Sequence, residues 1–281
     1  MSGLHILPQF ILLGAVKAAT TWLAFQLRHN PALYLPHVEP HFFSSQFSRG
    51  FVWYSQFFRD AGPAQRPGEK SSDYFAHPDA ARRIADLLPD VPLIVQLRNP
   101  VDRAYSEYRM QYRHGRIEGP PEEYLMPSAT ALPPMLESGL YFQHLKRWLN
   151  HFPREQIKIL LYDDVRERPV WVVEEVCAHI RVPFHFTESR REREQAHEHA
   201  AHAQRLQKLL APIRQAVRPL HGNRLFEAAR SKLNRSTGHC PSLHPALRTH
   251  LEDFYAPEVE RLGKLIRRDL SHWLPVARQA A

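Results

Sequence analysis

Disulfide frameworks, membrane spans and repeats are what this 281-residue chain lacks. Two cysteines, Cys177 and Cys240, permit one bridge at most, which excludes a disulfide-stapled scaffold. Cys177 falls in an apolar helical stretch and reads as a buried free thiol, in keeping with a reducing compartment. No apolar run reaches the length of a membrane span, and no basic-then-apolar leader opens the sequence, so a cytoplasmic protein is expected. Internal repeats are absent. A zinc motif is missing as well: His197-Glu198-His199-Ala200-Ala201-His202 has Ala201 where a His-Glu-x-x-His site needs its second histidine, so exposed polar residues on a helix are the better reading.

What is present begins with a strand, a glycine turn and a lysine. The apolar run Phe10-Ile11-Leu12-Leu13 leads into Gly14-Ala15-Val16-Lys17-Ala18-Ala19-Thr20-Thr21 and then a helical stretch. A strand ending in a tight turn aims the first amides of the next helix, and its positive dipole end, at one point where negative charge is stabilised. Lys17 adds a mobile cation and Thr20 and Thr21 add hydroxyl donors, so a nucleotide phosphate is the expected guest. The spacing is not that of a Walker A loop, because Ala18 and Ala19 separate Lys17 from the threonines. Triphosphate chemistry wants a metal to spread charge, whereas a sulfuryl group carries less and can move with lysine and hydroxyls; no metal is expected. Taken alone, the loop reads equally well as a turn that merely closes a βαβ unit.

A second block shifts that balance. Leu93-Ile94-Val95-Gln96-Leu97-Arg98-Asn99-Pro100 reads as a buried strand with a cation at its carboxyl end and a helix opened by Pro100. Ligands of open α/β sheets collect beyond the carboxyl ends of strands, so Arg98 and the Gly14 turn share one crevice if their strands are parallel neighbours. Ser106, on the helix begun at Pro100, can point at the same oxygens as Arg98, which suits a second, separate phosphate; Arg109 reads as part of a solvated face. Strands at 10–13, 93–97 and 157–162 alternate with helices at 21–30, 79–88, 101–114, 140–152, 170–180, 194–217 and 245–268. That pattern predicts a single α/β domain over 1–281, with a central parallel sheet flanked by helices. The proline-bearing stretch 119–134 reads as an exposed loop over an acceptor cleft.

In this order the blocks resemble the sulfotransferases that use 3′-phosphoadenosine 5′-phosphosulfate (PAPS), nearest to the heparan-sulfate type and its bacterial relatives. The stretch from Gly14 to Leu23 is similar to that family's 5′-phosphosulfate loop, and Arg98, Arg103 and Ser106 to its 3′-phosphate motif. Glu39-Pro40-His41-Phe42-Phe43 resembles the family's Glu-x-His-Phe-Phe stretch, and Glu69-Lys70-Ser71-Ser72-Asp73-Tyr74 its Glu-Lys-Ser/Thr-Pro-x-Tyr segment. Gly139-x-Tyr141, Trp148-Leu149, the run from Ile159 to Asp164, and Tyr255-Ala256-Pro257 through Leu270 and Trp273 align too. The resemblance implies a P-loop-like nucleotide-binding fold, PAPS as co-substrate with 3′-phosphoadenosine 5′-phosphate (PAP) as product, and Gly14, Ala15, Val16, Lys17, Ala18, Ala19, Thr20, Thr21, Arg98 and Ser106 as donor-binding residues. It also implies that Ser236, Thr237, Gly238 and His239 close over the nucleotide. Two departures stand out: Ala18-Ala19 replaces a glycine-bearing pair, and Thr237 and His239 replace two fixed cations.

The chemistry wants a carboxylate to take the acceptor's proton and cations on the oxygen that gathers charge as the sulfuryl group leaves. The family match assigns the first role to Glu39; Lys17 fits the second, with Lys70 and His41 next. Plainer readings stand beside these: a carboxylate before Pro40, a packed core histidine and a surface lysine. The aromatic group Phe42, Phe43, Phe47, Phe51, Trp53, Tyr54, Phe57 and Phe58 reads mainly as core. A formal net charge of +8, before any of the 18 histidines is protonated, favours acidic partners, namely the donor and a glycan or small-molecule acceptor. No recognition element for nucleic acid is evident. The chief alternative is a non-catalytic binding protein that keeps the cleft and has lost turnover; a kinase is weaker still.

Overall fold

A computed structural model describes residues 6–127, 131–188 and 240–275. The helix expected at 194–217, the histidines at 197, 199 and 202, and Ser236, Thr237, Gly238 and His239 lie outside the described residues. Met1–Tyr108, Pro121–Phe186 and Leu243–Ala281 form one compact unit, and Arg109–Pro120 with Thr187–Ser242 a second. The sheet and the described site residues belong to the first.

The elements run β1 (Ile11–Gly14), α1 (Thr20–His29), β2 (Leu33–Tyr34), α2 (Phe51–Ser55), β3 (Arg66–Pro67), β4 (Glu69–Lys70), α3 (Ala80–Leu87), β5 (Leu93–Leu97), α4 (Pro100–Arg113), α5 (Glu122–Leu125), α6 (Pro134–Glu137), α7 (Tyr141–Leu149), β6 (Ile157–Leu161), α8 (Tyr162–Glu167), α9 (Pro169–His179) and α10 (Pro245–Ile266). The main sheet has the order β4-β1-β5-β6 and every pairing in it is parallel. β1 and β5 are buried along their whole length, as a parallel sheet covered on both faces requires. Leu12, Ile94 and Leu160 pack on one face against Leu23 and Leu27 of α1, Val172 and Val176 of α9, and Ile180 just after it. α7 lies against α10, and its Trp148 indole donates to the Phe75 carbonyl at 3.0 Å. The end of β6 holds the C-terminal segment: Asp164, 3% exposed, takes Arg168 and Arg268, while Asp163 accepts from the Trp273 indole at 2.9 Å.

Most expected elements stand within a few residues of their predicted bounds, and Cys177 is a buried free thiol. Three differences have physical causes. β4 is a two-residue edge strand of Glu and Lys, too short and too polar for a periodicity signal. β6 stops at Leu161 because Tyr162 already opens α8. The stretch 119–134 is not a plain exposed loop, since α5 forms inside it and buries Leu125. Among the described residues no helix is long and apolar enough to cross a membrane.

Gly14 closes β1 at φ +135°, and a Cβ there would stand 2.4 Å from the Ser72 carbonyl oxygen. Both the backbone angle and the space demand glycine. Gly14→Ala is therefore expected to lower the unfolding free energy by about 2 kcal/mol or more, read as a shifted denaturant midpoint.

Candidate active site

The turn after β1 is built against β5. The Ala15 amide donates to the Gln96 carbonyl at 2.8 Å, and the Gln96 side chain, fully buried, donates to the Ala18 carbonyl at 2.5 Å. Arg98 Nη1 donates to the Lys17 carbonyl at 3.2 Å, while its guanidinium lies 4.6 Å over the Tyr162 ring. Arg98 Nε is buried without a hydrogen-bond partner, a donor in want of an acceptor. The sequence condition for a shared crevice is met, because β1 and β5 are parallel neighbours. Carbonyls of the turn are thus drawn to β5. α1 opens with no side-chain cap on its leading amides, which leaves them to a ligand.

Lys17 and Ala19 adopt φ +65° and +64°. A left-handed conformation costs a residue with a Cβ about 1–2 kcal/mol, which is the physical reason a glycine-bearing pair suits this place. Ala15, Ala18 and Thr20 are buried, Val16, Lys17 and Ala19 half-buried, and Thr21 exposed at the helix mouth. Ser106 is half-buried on α4, and the described contacts do not join it to Arg98. Arg103, from the same block, turns inward: it is fully buried, with Glu107 at 2.6 Å and the Met135 carbonyl as partners.

Glu39, Lys70 and Thr21 converge. Lys70 Nζ lies 2.6 Å from Glu39 Oε1 and 3.5 Å from Thr21 Oγ1, with the lysine 8% and the glutamate 25% exposed. The second carboxylate oxygen accepts from the Ser72 amide and the Ser72 hydroxyl, both at 2.8 Å. Burial pushes the Glu39 carboxyl up, but the bonds from Lys70 and Ser72 outweigh it and hold the group below the usual carboxylate range. Arg28 of α1 fixes the approach to Glu39 by donating to the carbonyls of Leu35 and Pro36. Lys70 is accordingly no surface lysine.

His41 stands at φ +51°, and its Nδ1 is 2.7 Å from Asp73 Oδ1 with the imidazole 40% exposed. The bond to Asp73 raises the imidazole above its ordinary value against the opposing effect of burial. Residues that sequence reasoning gave no role include Gln96, Ser72, Asp73 and Arg28. A polar residue inside the apolar run 93–97 was a readable signal for Gln96; the others are brought in by the fold. Of the aromatic group, Phe42, Phe43, Tyr54 and Phe58 are core, whereas Phe47 is 41% exposed.

A parallel sheet whose first strand turns into an uncapped helix, with cations brought to that turn, defines a P-loop-like α/β protein. The chain belongs to the sulfotransferase domain family, which matches it over residues 7–210. Mouse heparan sulfate glucosamine 3-O-sulfotransferase 6 is 35% identical over 54% of this chain and 45% of its own. The human bifunctional heparan sulfate N-deacetylase/N-sulfotransferase 2 is 33% identical over 60% of this chain and 21% of its own. The chain thus spans less than half the length of these curated relatives. A solved sulfotransferase from Alicyclobacillus acidocaldarius superposes with a TM-score of 0.71 at 28% identity, covering 95% of this chain and 99% of that one.

Protonated His41 is the form that Asp73 favours, so the pair stabilises the fold fully below the ordinary imidazole value of 6.5 and the contribution fades as pH rises through the raised value. Asp73→Asn is expected to lower the His41 titration midpoint in an NMR titration and to remove that loss of stability above pH 6.5.

Proposed function

We propose that this chain transfers a sulfuryl group from PAPS to a hydroxyl or amine of a carbohydrate or small molecule, with residues 1–281 working as one catalytic domain in the cytoplasm. The observation that carries the reading is the convergence of Glu39, Lys70 and Thr21 at the mouth of the turn that Arg98 braces. The turn at Gly14–Thr21 would hold the 5′-phosphosulfate, and Arg98, with its unpartnered Nε, and Ser106 the 3′-phosphate. In the transfer, the acceptor oxygen or nitrogen attacks sulfur, the bond from sulfur to the bridging phosphate oxygen breaks, and the acceptor's proton passes to Glu39. Lys17 stabilises the charge gathered on the departing PAP, and Lys70 and His41 steady the sulfuryl oxygens. Catalysis is then in-line, largely positional and independent of metal.

Glu39 is a poor base while Lys70 neutralises it. Donor binding offers Lys70 a second anion, the sulfonate, and a shift of the ammonium toward it frees the carboxylate to accept a proton. A glucosamine-bearing glycan is the acceptor suggested by the relatives' names, and the positive net charge suits an anionic one.

The alternative, a nucleotide- and glycan-binding protein without turnover, is favoured by the locked Glu39–Lys70 pair and by Thr237 and His239. Radiolabelled sulfate transfer to a glycan panel decides between them. The parent is expected to transfer label, and Glu39→Gln to lose at least about 100-fold in kcat while still binding PAP. Equal transfer by Glu39→Gln rules out this base; no transfer by the parent with PAP still bound favours the binding protein.

A further inference from the structure

β4 sends Lys70 into the site and its neighbour Glu69 to the opposite side, as strand residues alternate. Glu69 is fully buried. Its Oε1 accepts from the Tyr74 hydroxyl at 2.5 Å and the Ser71 hydroxyl at 2.8 Å, and its Oε2 accepts from the Tyr54 hydroxyl. A hydroxyl has a single proton to give. With their protons committed to Glu69, Tyr74 and Ser71 turn lone pairs to the backbone ahead: the Phe43 amide donates to Tyr74 Oη at 3.1 Å and the His41 amide to Ser71 Oγ at 3.0 Å.

One carboxylate therefore anchors two segments at once. The first carries Glu39 and His41; the second carries Lys70 and Asp73, which complete the two ion pairs, and Ser72, which donates to Glu39. Three hydroxyl donors satisfy an ionised carboxylate, which only accepts, whereas a protonated one would leave a surplus proton in a buried space. Burial and the nearby Asp73 charge oppose those donors and push the group up to about 7.

We propose that Glu69 is a positioning residue for the transfer reaction, setting the backbone at His41 and Phe43 through the hydroxyls of Ser71 and Tyr74 and so fixing Glu39 and His41 against Lys70 and Asp73. It touches neither donor nor acceptor in this role. The kinetic consequence rests on the sulfotransfer reading; the spectroscopic one does not.

The test uses the full chain and Glu69→Gln, which keeps the shape but replaces one acceptor oxygen by a donor. Expected results are a kcat lower by about 10- to 100-fold, unchanged PAP affinity, and a displaced His41 imidazole signal with a lower titration midpoint, the signal being assigned by its loss in His41→Gln. Ser71→Ala is expected to have little further effect on kcat in the Glu69→Gln background, because both act through the same contact. Unchanged kcat together with an unmoved His41 signal overturns the proposal. So does a loss of kcat, PAP affinity and thermal midpoint in equal proportion, which marks a merely structural acid. Should Glu69→Gln fail to fold, Tyr74→Phe, which removes one donor to Glu69 and the acceptor of the Phe43 amide, is read the same way. A parent without transfer activity refutes the sulfotransfer reading, and the His41 signal then decides the positioning role by itself.

Discussion

The turn between β1 and α1 is held open by side chains of the neighbouring strand, and the site depends on that hold. Gln96 and Arg98 take the carbonyls of Ala18 and Lys17, so the turn's acceptors are spent on the protein. The uncapped amides that open α1 remain for an anion. Two non-glycine residues in left-handed conformations, Lys17 and Ala19, are the cost of that shape. Bracing by β5 offsets it. The guanidinium of Arg98 is already fixed by Lys17 and by the Tyr162 ring, so little of its conformational freedom is left to lose on binding.

From this turn the chemistry is reached through β4. Lys70 stands between Thr21 on the helix and Glu39 on the segment that Arg28 pins, and it is the counter-ion of the Glu39 carboxylate. With the lysine 8% and the glutamate 25% exposed, this pair has given up much of its hydration and is costly to leave half-made. On the proposed reading, the same pairing that keeps two charges tolerable in the free protein would give a donor sulfonate something to compete for. Behind it, hydroxyls on Glu69 rather than a cation carry the buried carboxyl, which keeps the shell supporting the site directional.

Much of the fold was legible because it rests on apolar runs: 93–97 was read at its observed bounds, and β1 and β6 within a residue. The two-residue β4 was not, since its place is set by pairing with β1 and by the room for Phe10 beside Gly68. Glu39, His41 and Lys70 were reached through the resemblance, yet their partners Ser72 and Asp73 come from a segment whose approach no local pattern encodes. Late blocks that align with the family at separate places in the chain meet in space: Tyr255 donates to the Leu136 carbonyl, and a Cβ at Gly139 would stand 2.7 Å from the Tyr255 hydroxyl. The run ending at Asp164 closes on Arg268 in the same way.

Calorimetric titration with PAP of the parent, Lys17→Ala and Arg98→Ala bears most directly on the idea that two cationic elements far apart in sequence grip one nucleotide. Binding by the parent, weakened in each variant by about 1.5–3 kcal/mol as expected for a lost charged hydrogen bond, is the predicted result. A parent that does not bind PAP, or an Arg98→Ala variant that binds it as tightly as the parent, contradicts it.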